Sequence, residues 1–231
     1  MYMIDGILLV DKEVNITSYD VIRRVKKALD GKEKIGHSGT LDPFASGLLI
    51  LLFGKATKLM STFLSYEKVY DATAKFGITT DTQDITGEVV KEDKSSMIPK
   101  KEDIRELVEK KFLGDIEQIP PMYSAKRVNG ERAYKLARKG QVIKLKPKKI
   151  HISQFEIYEY EYPVFKSKIE CSSGTYIRTL IHDLGISLGT YATTTDLRRV
   201  SIGGFNIKES IKSEQLMKMG REDIMRRVIN L

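Results

Sequence analysis

The sequence has one cysteine, no tryptophan and three scattered histidines among 231 residues. A single thiol closes no intrachain disulfide, which excludes a disulfide-stapled secreted scaffold. Cys171 and the distant histidines offer no zinc-ligand spacing, so Cys171 reads as a small buried apolar residue. No apolar run approaches the length that spans a bilayer. Residues 1–10 are too short for a signal peptide and carry Asp5. A cytoplasmic protein with no membrane association is therefore expected. No internal repeat and no low-complexity segment is present, and the length suits one large domain or two small ones. Acid is scarce in one place. Residues 126–149 hold ten Lys/Arg against a single Glu131, a net +9 in a chain whose total is +8. A localised basic surface is the footprint of a nucleic-acid partner, although a solvated lysine-rich face has the same composition.

What is present is organised around residues 36–47, Gly-His-Ser-Gly-Thr-Leu-Asp-Pro-Phe-Ala-Ser-Gly. Three glycines and a proline bracket one carboxylate, Asp42. Pro43 fixes its own φ and pushes Asp42 toward extended backbone. The apolar run 48–53 follows at once and reads as a buried strand. An Asp before Pro in such a cluster is ordinarily a turn residue bonding its own backbone. Here it stands in a rigid loop leading into the core.

The rest of the chain reads as alternating strands and helices. Residues 6–10 form a buried strand. Thr17 or Ser18 caps a helix whose apolar face is Val21, Ile22, Val25, Ala28 and Leu29, with Gly31 ending it. Arg23, Arg24, Lys26 and Lys27 lie off that face. Gly54-Lys55-Ala56-Thr57 fails as a phosphate loop, because its first glycine is misplaced and Ala56 replaces the metal-binding hydroxyl. Residues 56–64 read as a short helix packing Leu59, Met60 and Phe63 inward. Residues 68–78 alternate as a strand with Tyr70, Ala72, Ala74 and Phe76 on one face. Residues 80–87 fail as a calcium loop, since Gln83 and Ile85 break the ligand spacing. Residues 89–97 are charged and exposed. Helices are expected over 102–112 and 131–138, the second ended by Gly140. Residues 150–160 and 165–171 pair as strands. A helix then carries Ile177, Leu180, Ile181 and Leu184. Arg178 falls in its first turn, where the helix dipole disfavours a cation, so it serves a partner. His182 reads as a surface or hydrogen-bonded residue. Residues 211–216 and 223–231 look helical.

Four stretches together carry a resemblance. Gly-His-Ser-Gly-Thr-Leu-Asp-Pro-x-Ala-Ser-Gly-x-Leu from Gly36, Pro-Pro-x-Tyr-Ser-Ala at 120–125, Cys-Ser-x-Gly-Thr-Tyr-Ile-Arg at 171–178 and Leu-Arg-Arg at 197–199 closely resemble the signatures of the TruB-type tRNA pseudouridine synthases. That family usually has Thr where Ser38 stands, and residues 191–195 depart from its usual pattern. The resemblance implies an α+β fold, a large mixed and mostly antiparallel sheet flanked by helices. It implies a catalytic domain over 1–210 with a mobile, RNA-clamping thumb at about 120–149. A short helical tail over 211–231 would stand where bacterial members commonly carry a PUA domain. It makes Asp42 the catalytic carboxylate, paired with Arg178, and Tyr70 a catalytic-site ring that packs on the base. His37, Tyr176, Leu197 and Lys68 would bind the substrate, with Lys126, Arg127 and Arg132 on its backbone.

The implied reaction isomerises uridine 55 in the T loop of tRNA. It breaks an N–C glycosidic bond, turns the uracil and forms a C–C bond. No redox change occurs, so no cofactor and no metal is expected. Attack of Asp42 on C1′ or on base C6, and elimination to a glycal with Asp42 as base, all remain open. The target base must leave its stack, and His37 is the residue placed to fill the space. The expected partner is the tRNA T stem-loop, acted on by a monomer with no obligate protein partner. The alternative is a non-catalytic RNA-binding or RNA-folding module using the same groove, which would not need Asp42, Tyr70 and Arg178 together. A guide-RNA-dependent synthase is the other rival, disfavoured by the short C-terminus.

Overall fold

The computed structural model describes residues 4–231 apart from 32, 96, 129 and 142. In chain order its elements begin with β1 (Gly6–Lys12), α1 (Ser18–Ala28), β2 (Ile35–His37), β3 (Ser46–Phe53), α2 (Met60–Ser65), β4 (Lys68–Phe76), β5 (Ile78–Thr80) and β6 (Val89–Glu92). Next come α3 (Lys101–Lys111), β7 (Gly114–Gln118), β8 (Arg127–Val128), β9 (Glu131–Arg132), α4 (Ala133–Arg138), β10 (Lys148–Glu161) and β11 (Val164–Cys171). The last are α5 (Ile177–Ser187), β12 (Ala192–Ile202), β13 (Phe205–Asn206), β14 (Ile211–Lys212) and α6 (Arg221–Met225). Strand pairing is mixed and mostly antiparallel, so the fold is α+β as expected. The chain forms two compact units, residues 1–70 with 198–231, and residues 71–197.

In the first unit, β3 runs antiparallel to β1 in register from Gly6↔Phe53 to Lys12↔Gly47. It also pairs in parallel with β12 through Arg198↔Ser46 and Arg199↔Gly47. Both faces of β3 are covered. Leu49, Leu51 and Phe53 pack with Leu8, Val10 and the α1 residues Val21, Ile22 and Val25. Leu48, Ile50 and Leu52 pack with Ile7, Leu9, Phe63 and Ile202. Burial on two sides explains why 48–53 has no polar break. Helix α1 starts at a capping box: Thr17 Oγ1 accepts from Asp20 N, and Asp20 Oδ2 accepts from Thr17 N. Gly31, at φ +76°, donates its N–H to Lys26 O and ends the turn.

In the second unit, β11 and β10 form a long antiparallel hairpin, and β7 pairs with β10 through Lys148↔Gln118 to Ile152↔Gly114. Ala72, Ala74 and Phe76 of β4 point into the core on alternate positions. Phe76 stacks on Phe165 at 4.6 Å between centroids. Ile104 and Val108 bury the inner face of α3.

Several expectations need correction. Leu59 and Met60 are exposed, and of the three residues expected inward only Phe63 is buried, because 54–59 winds as a 3-10 turn before α2 and rotates the apolar face away. The helix expected from residue 131 starts at Ala133, since Glu131 and Arg132 pair with Val128 and Arg127 in a small hairpin. The C-terminal tail is not mainly helical. Ile211 and Lys212 are a strand beside Val10 and Asp11, and Gln215–Lys218 is a 3-10 turn. Beyond α6, Ile229 bridges to Ile7. The open backbone groups of β1 win over the weak helical periodicity of the tail. Expectations touching Met1–Met3, Ser96, Asn129 and Val142 lie outside the described residues.

Candidate active site

The loop between β2 and β3 is held from behind by residues 15–18. Asn15 N–H donates to Pro43 O at 2.7 Å. Ser18 Oγ accepts from Leu41 N at 2.9 Å and donates to Leu41 O at 3.3 Å. Both neighbours of Asp42 are thereby fixed, and Asp42 itself is half-buried. Gly47 sits at φ +110°, and a Cβ there would collide with the backbone of Arg199. Only glycine lets β3 enter the sheet so close to the loop. Arg199 is buried, and its guanidinium donates to Leu48 O at 2.7 Å and Gly39 O at 3.2 Å. Ser38 is buried and bonds Ile50 through its N–H and its Oγ. His37 is half-buried, and its Nδ1 accepts from Gly39 N at 3.3 Å.

A buried lysine stands beneath this loop. Lys12 Nζ donates to the carbonyls of Glu13 and Ile16 at 2.8 and 2.9 Å. Burial pushes its pKa down to about 8, while the negative charges of Glu13 and Asp42 oppose that fall. In the same unit, Tyr70 is buried at the start of β4. Lys68 is buried too, and its ammonium donates to the carbonyls of Leu64 and Tyr66, tying α2 to β4.

In the second unit, Arg178 is 3% exposed at the start of α5. Its Nη1 donates to Thr82 O at 2.5 Å and lies 3.5 Å from Asp84 Oδ2, and its Nη2 donates to Tyr123 O at 3.0 Å. The partners expected for a cation at a helix start therefore include the 80–84 turn and residue 123. Asp84 is buried, and its Oδ1 also accepts from Thr82 Oγ1, Thr86 N and Thr86 Oγ1. Tyr176 caps α5 and is clamped by Gln118, which accepts from Tyr176 N at 2.8 Å and donates to Tyr176 O at 3.0 Å. Leu197 is buried on β12. His182 Nδ1 bonds Thr79 Oγ1 at 2.9 Å, and burial lowers its pKa. Lys126, Arg127 and Arg132 lie around the β8–β9 hairpin; Lys126 Nζ reaches Lys146 O at 3.3 Å and Arg132 Nη1 reaches Ala125 O at 3.1 Å. Arg127 and Arg132 are exposed.

The structure thus places His37 with Asp42 on one loop, Lys68 with Tyr70 on one strand, and Tyr176 with Arg178 at one helix start. Sequence reading missed Asp84, Gln118, Lys12 and Arg199. The available signal for Asp84 is the acidic turn over 80–87, which fails as a calcium loop and has no other role in the sequence reading. Among the described residues no helix is long and apolar enough to cross a membrane.

Residues 26–177 match the model of the TruB family pseudouridylate synthase N-terminal domain. Residues 178–230 match that of the tRNA pseudouridylate synthase B C-terminal domain. Over 209 residues the chain is 47% identical to tRNA pseudouridine synthase B of Endomicrobium trichonymphae, covering 90% of each. It is 45% identical over 225 residues to tRNA pseudouridine synthase B of Clostridium kluyveri, covering 97% of this chain and 75% of that one. Among solved structures, a chain of a Cbf5-Nop10-Gar1 complex superposes with a TM-score of 0.70 at 28% identity over 92% of this chain. This chain covers 54% of that one, little more than half its length. Family models covering most of the sequence, and relatives 47% and 45% identical that this chain covers over 90% and 75% of their length, show one family: the chain belongs to the TruB family of pseudouridine synthases.

Proposed function

We propose that the chain isomerises uridine 55 in the T loop of tRNA to pseudouridine, with Asp42 as the catalytic carboxylate. The observation that carries this reading is the Asp42 loop. Both neighbours of the carboxylate are pinned by backbone and hydroxyl hydrogen bonds from residues 15–18. An acid held this way meets a bound sugar without first losing loop entropy. In the reaction the N1–C1′ bond breaks, the uracil turns, C5 bonds to C1′, and the proton on C5 is lost as N1 gains one. Asp42 acts as nucleophile at C1′ or C6, or as base in elimination to a glycal; the same carboxylate serves each route. Tyr70 supplies an aromatic face for the uracil, Lys68 sets the strand that carries Tyr70, and Tyr176 and Leu197 are further substrate-binding residues. Arg178 supplies a fixed positive charge. His37, on the Asp42 loop, fills the space the flipped base leaves.

The basic segment 126–149, with Lys126, Arg127 and Arg132, holds phosphates and shape rather than base identity. Its lysines and arginines are mostly solvent-exposed, as that role requires. The expected substrate is the T stem-loop, bound by a monomer in the cytoplasm without a protein partner. An unmodified tRNA transcript incubated with the chain tests the proposal. Pseudouridine should form at position 55, and a transcript with cytidine there should gain none. Modification at another site, or none, overturns it.

A further inference from the structure

Among the described residues Tyr19 is the most exposed aromatic side chain, at 52%. It sits in the first turn of α1, on the outer surface, where packing asks for no ring. The Arg23 guanidinium lies 4.8 Å from the ring centroid, one helical turn on. Arg23 is held in place by Asp20, with Nη1 2.6 Å from Oδ1. Asp20 is fixed in turn by the capping box with Thr17. Ring and guanidinium are thus both positioned before any ligand arrives, although both face water.

The neighbour in sequence, Ser18, is the residue that clamps Leu41. Covalent geometry then bounds the separation: the Cα atoms of Tyr19 and Asp42 lie within about 15 Å of each other. The nearby surface is positive. Arg23 and Lys27 are exposed and Lys26 is half-buried, while Asp20, the one acid in α1, is engaged by Thr17 and Arg23.

We infer that Tyr19 and Arg23 form an accessory RNA subsite: an unpaired nucleobase of the substrate, a few nucleotides from the reacting uridine, stacks on Tyr19, and Arg23 meets the adjoining phosphate. The inference rests on the proposed reaction at Asp42. Aromatic faces bind bases without regard to sequence, and a pre-positioned arginine adds charge at little entropic cost. A protein partner would want an apolar patch around the ring; here the surroundings are cationic.

The test separates affinity from rate. Filter binding gives Kd for an unmodified tRNA transcript, and single-turnover assays at saturating enzyme give the catalytic rate. Tyr19→Ala should weaken binding roughly five- to one-hundred-fold. Its saturated rate and thermal midpoint should stay near wild type, because the side chain is on the surface. Tyr19→Phe should bind as wild type, and Tyr19→Leu should resemble Tyr19→Ala. Arg23→Gln should lower the salt slope of binding by up to about one unit. An unchanged Kd for Tyr19→Ala in an otherwise active enzyme overturns the subsite and leaves the patch to a partner other than RNA. A loss of saturated rate at unchanged Kd also overturns it, since Tyr19 would then act through Ser18 and the Asp42 loop. A Tyr19→Phe as weak as Tyr19→Ala refutes stacking. Wild-type chain that forms no pseudouridine at all would instead sink the proposed reaction.

Discussion

Arg178→Met should destabilise the second unit by about 3–5 kcal/mol, the usual consequence of leaving one member of a buried ion pair alone. The structure supplies the reason. The guanidinium is buried, it is 3.5 Å from the buried Asp84 carboxylate, and its two terminal nitrogens serve the carbonyls of Thr82 and Tyr123. Methionine fills the volume but leaves a buried carboxylate facing no cation and two carbonyls without their donors. Arg178→Lys keeps the charge but not the fork. One ammonium cannot reproduce bonds made from two nitrogens in one plane, so about 1.5–3 kcal/mol should be lost. A typical domain of 5–15 kcal/mol survives that, so the lysine variant should fold and still lose most of its turnover. Adding Asp84→Asn to Arg178→Met should recover part of the stability, because no unpaired charge is then buried. A double-mutant cycle should give a coupling of about 1–3 kcal/mol. Guanidinium denaturation at pH 7 with global m-values is the assay. A loss below about 1 kcal/mol for Arg178→Met, or a coupling near zero, refutes the reasoning.

Three further outcomes are expected. Gly47→Ala should drop the thermal midpoint by well over ten degrees or abolish soluble expression, since φ is +110° and the new Cβ meets the Arg199 backbone; a midpoint within a few degrees of wild type contradicts the packing. Neutralising the exposed Lys135, Lys144 and Lys146 should flatten the salt dependence of tRNA binding by up to about one unit per true phosphate contact; an unchanged slope makes the segment a solvated face. Burial raises the Asp183 carboxyl to about 6 from its ordinary 3.8. The folded state therefore holds its proton more tightly, and stability should fall as pH rises from about 4 to 6. Asp183→Asn should remove that fall in a urea series at stepped pH, and an equally steep decline in the variant would refute the assignment.

Much of the fold was legible in residue pattern. The unbroken run 48–53 announced a strand buried on both faces, and the alternation through Phe76 gave the inward face of β4. A cap at Thr17 or Ser18 was legible too, and the structure makes it Thr17, in a capping box with Asp20. The failures share one cause, tertiary partners that local pattern does not carry. Ile211 looked helical until Val10 offered it a strand, and Ile229 found Ile7. Leu59 and Met60 were expected inside because one 3.6-residue period was assumed from residue 56, where the chain winds as a 3-10 turn up to Leu59 before α2 starts at Met60. At the candidate site, Asp42, locally an ordinary Asp-Pro turn residue, was singled out by the resemblance of residues 36–49 to a family signature, whereas Arg178 stood out as a cation at a helix start. Asp84 did not, because a carboxylate in a polar turn looks solvated until its burial beside Arg178 is seen. Lys12 and Arg199 were hidden likewise: each is a charged side chain wholly inside the first unit, spending its donors on carbonyls.

The most direct test of the central claim is a single substitution, Asp42→Asn, which keeps the shape of the side chain and removes its charge and nucleophilicity. Single-turnover conversion of uridine 55 in an unmodified tRNA transcript should fall below detection. Binding of that transcript should stay within about three-fold of wild type, since backbone contacts and stacking are untouched. Substantial pseudouridine from the variant, with deamidation back to aspartate excluded by mass spectrometry, would contradict the assignment of Asp42 as the catalytic carboxylate.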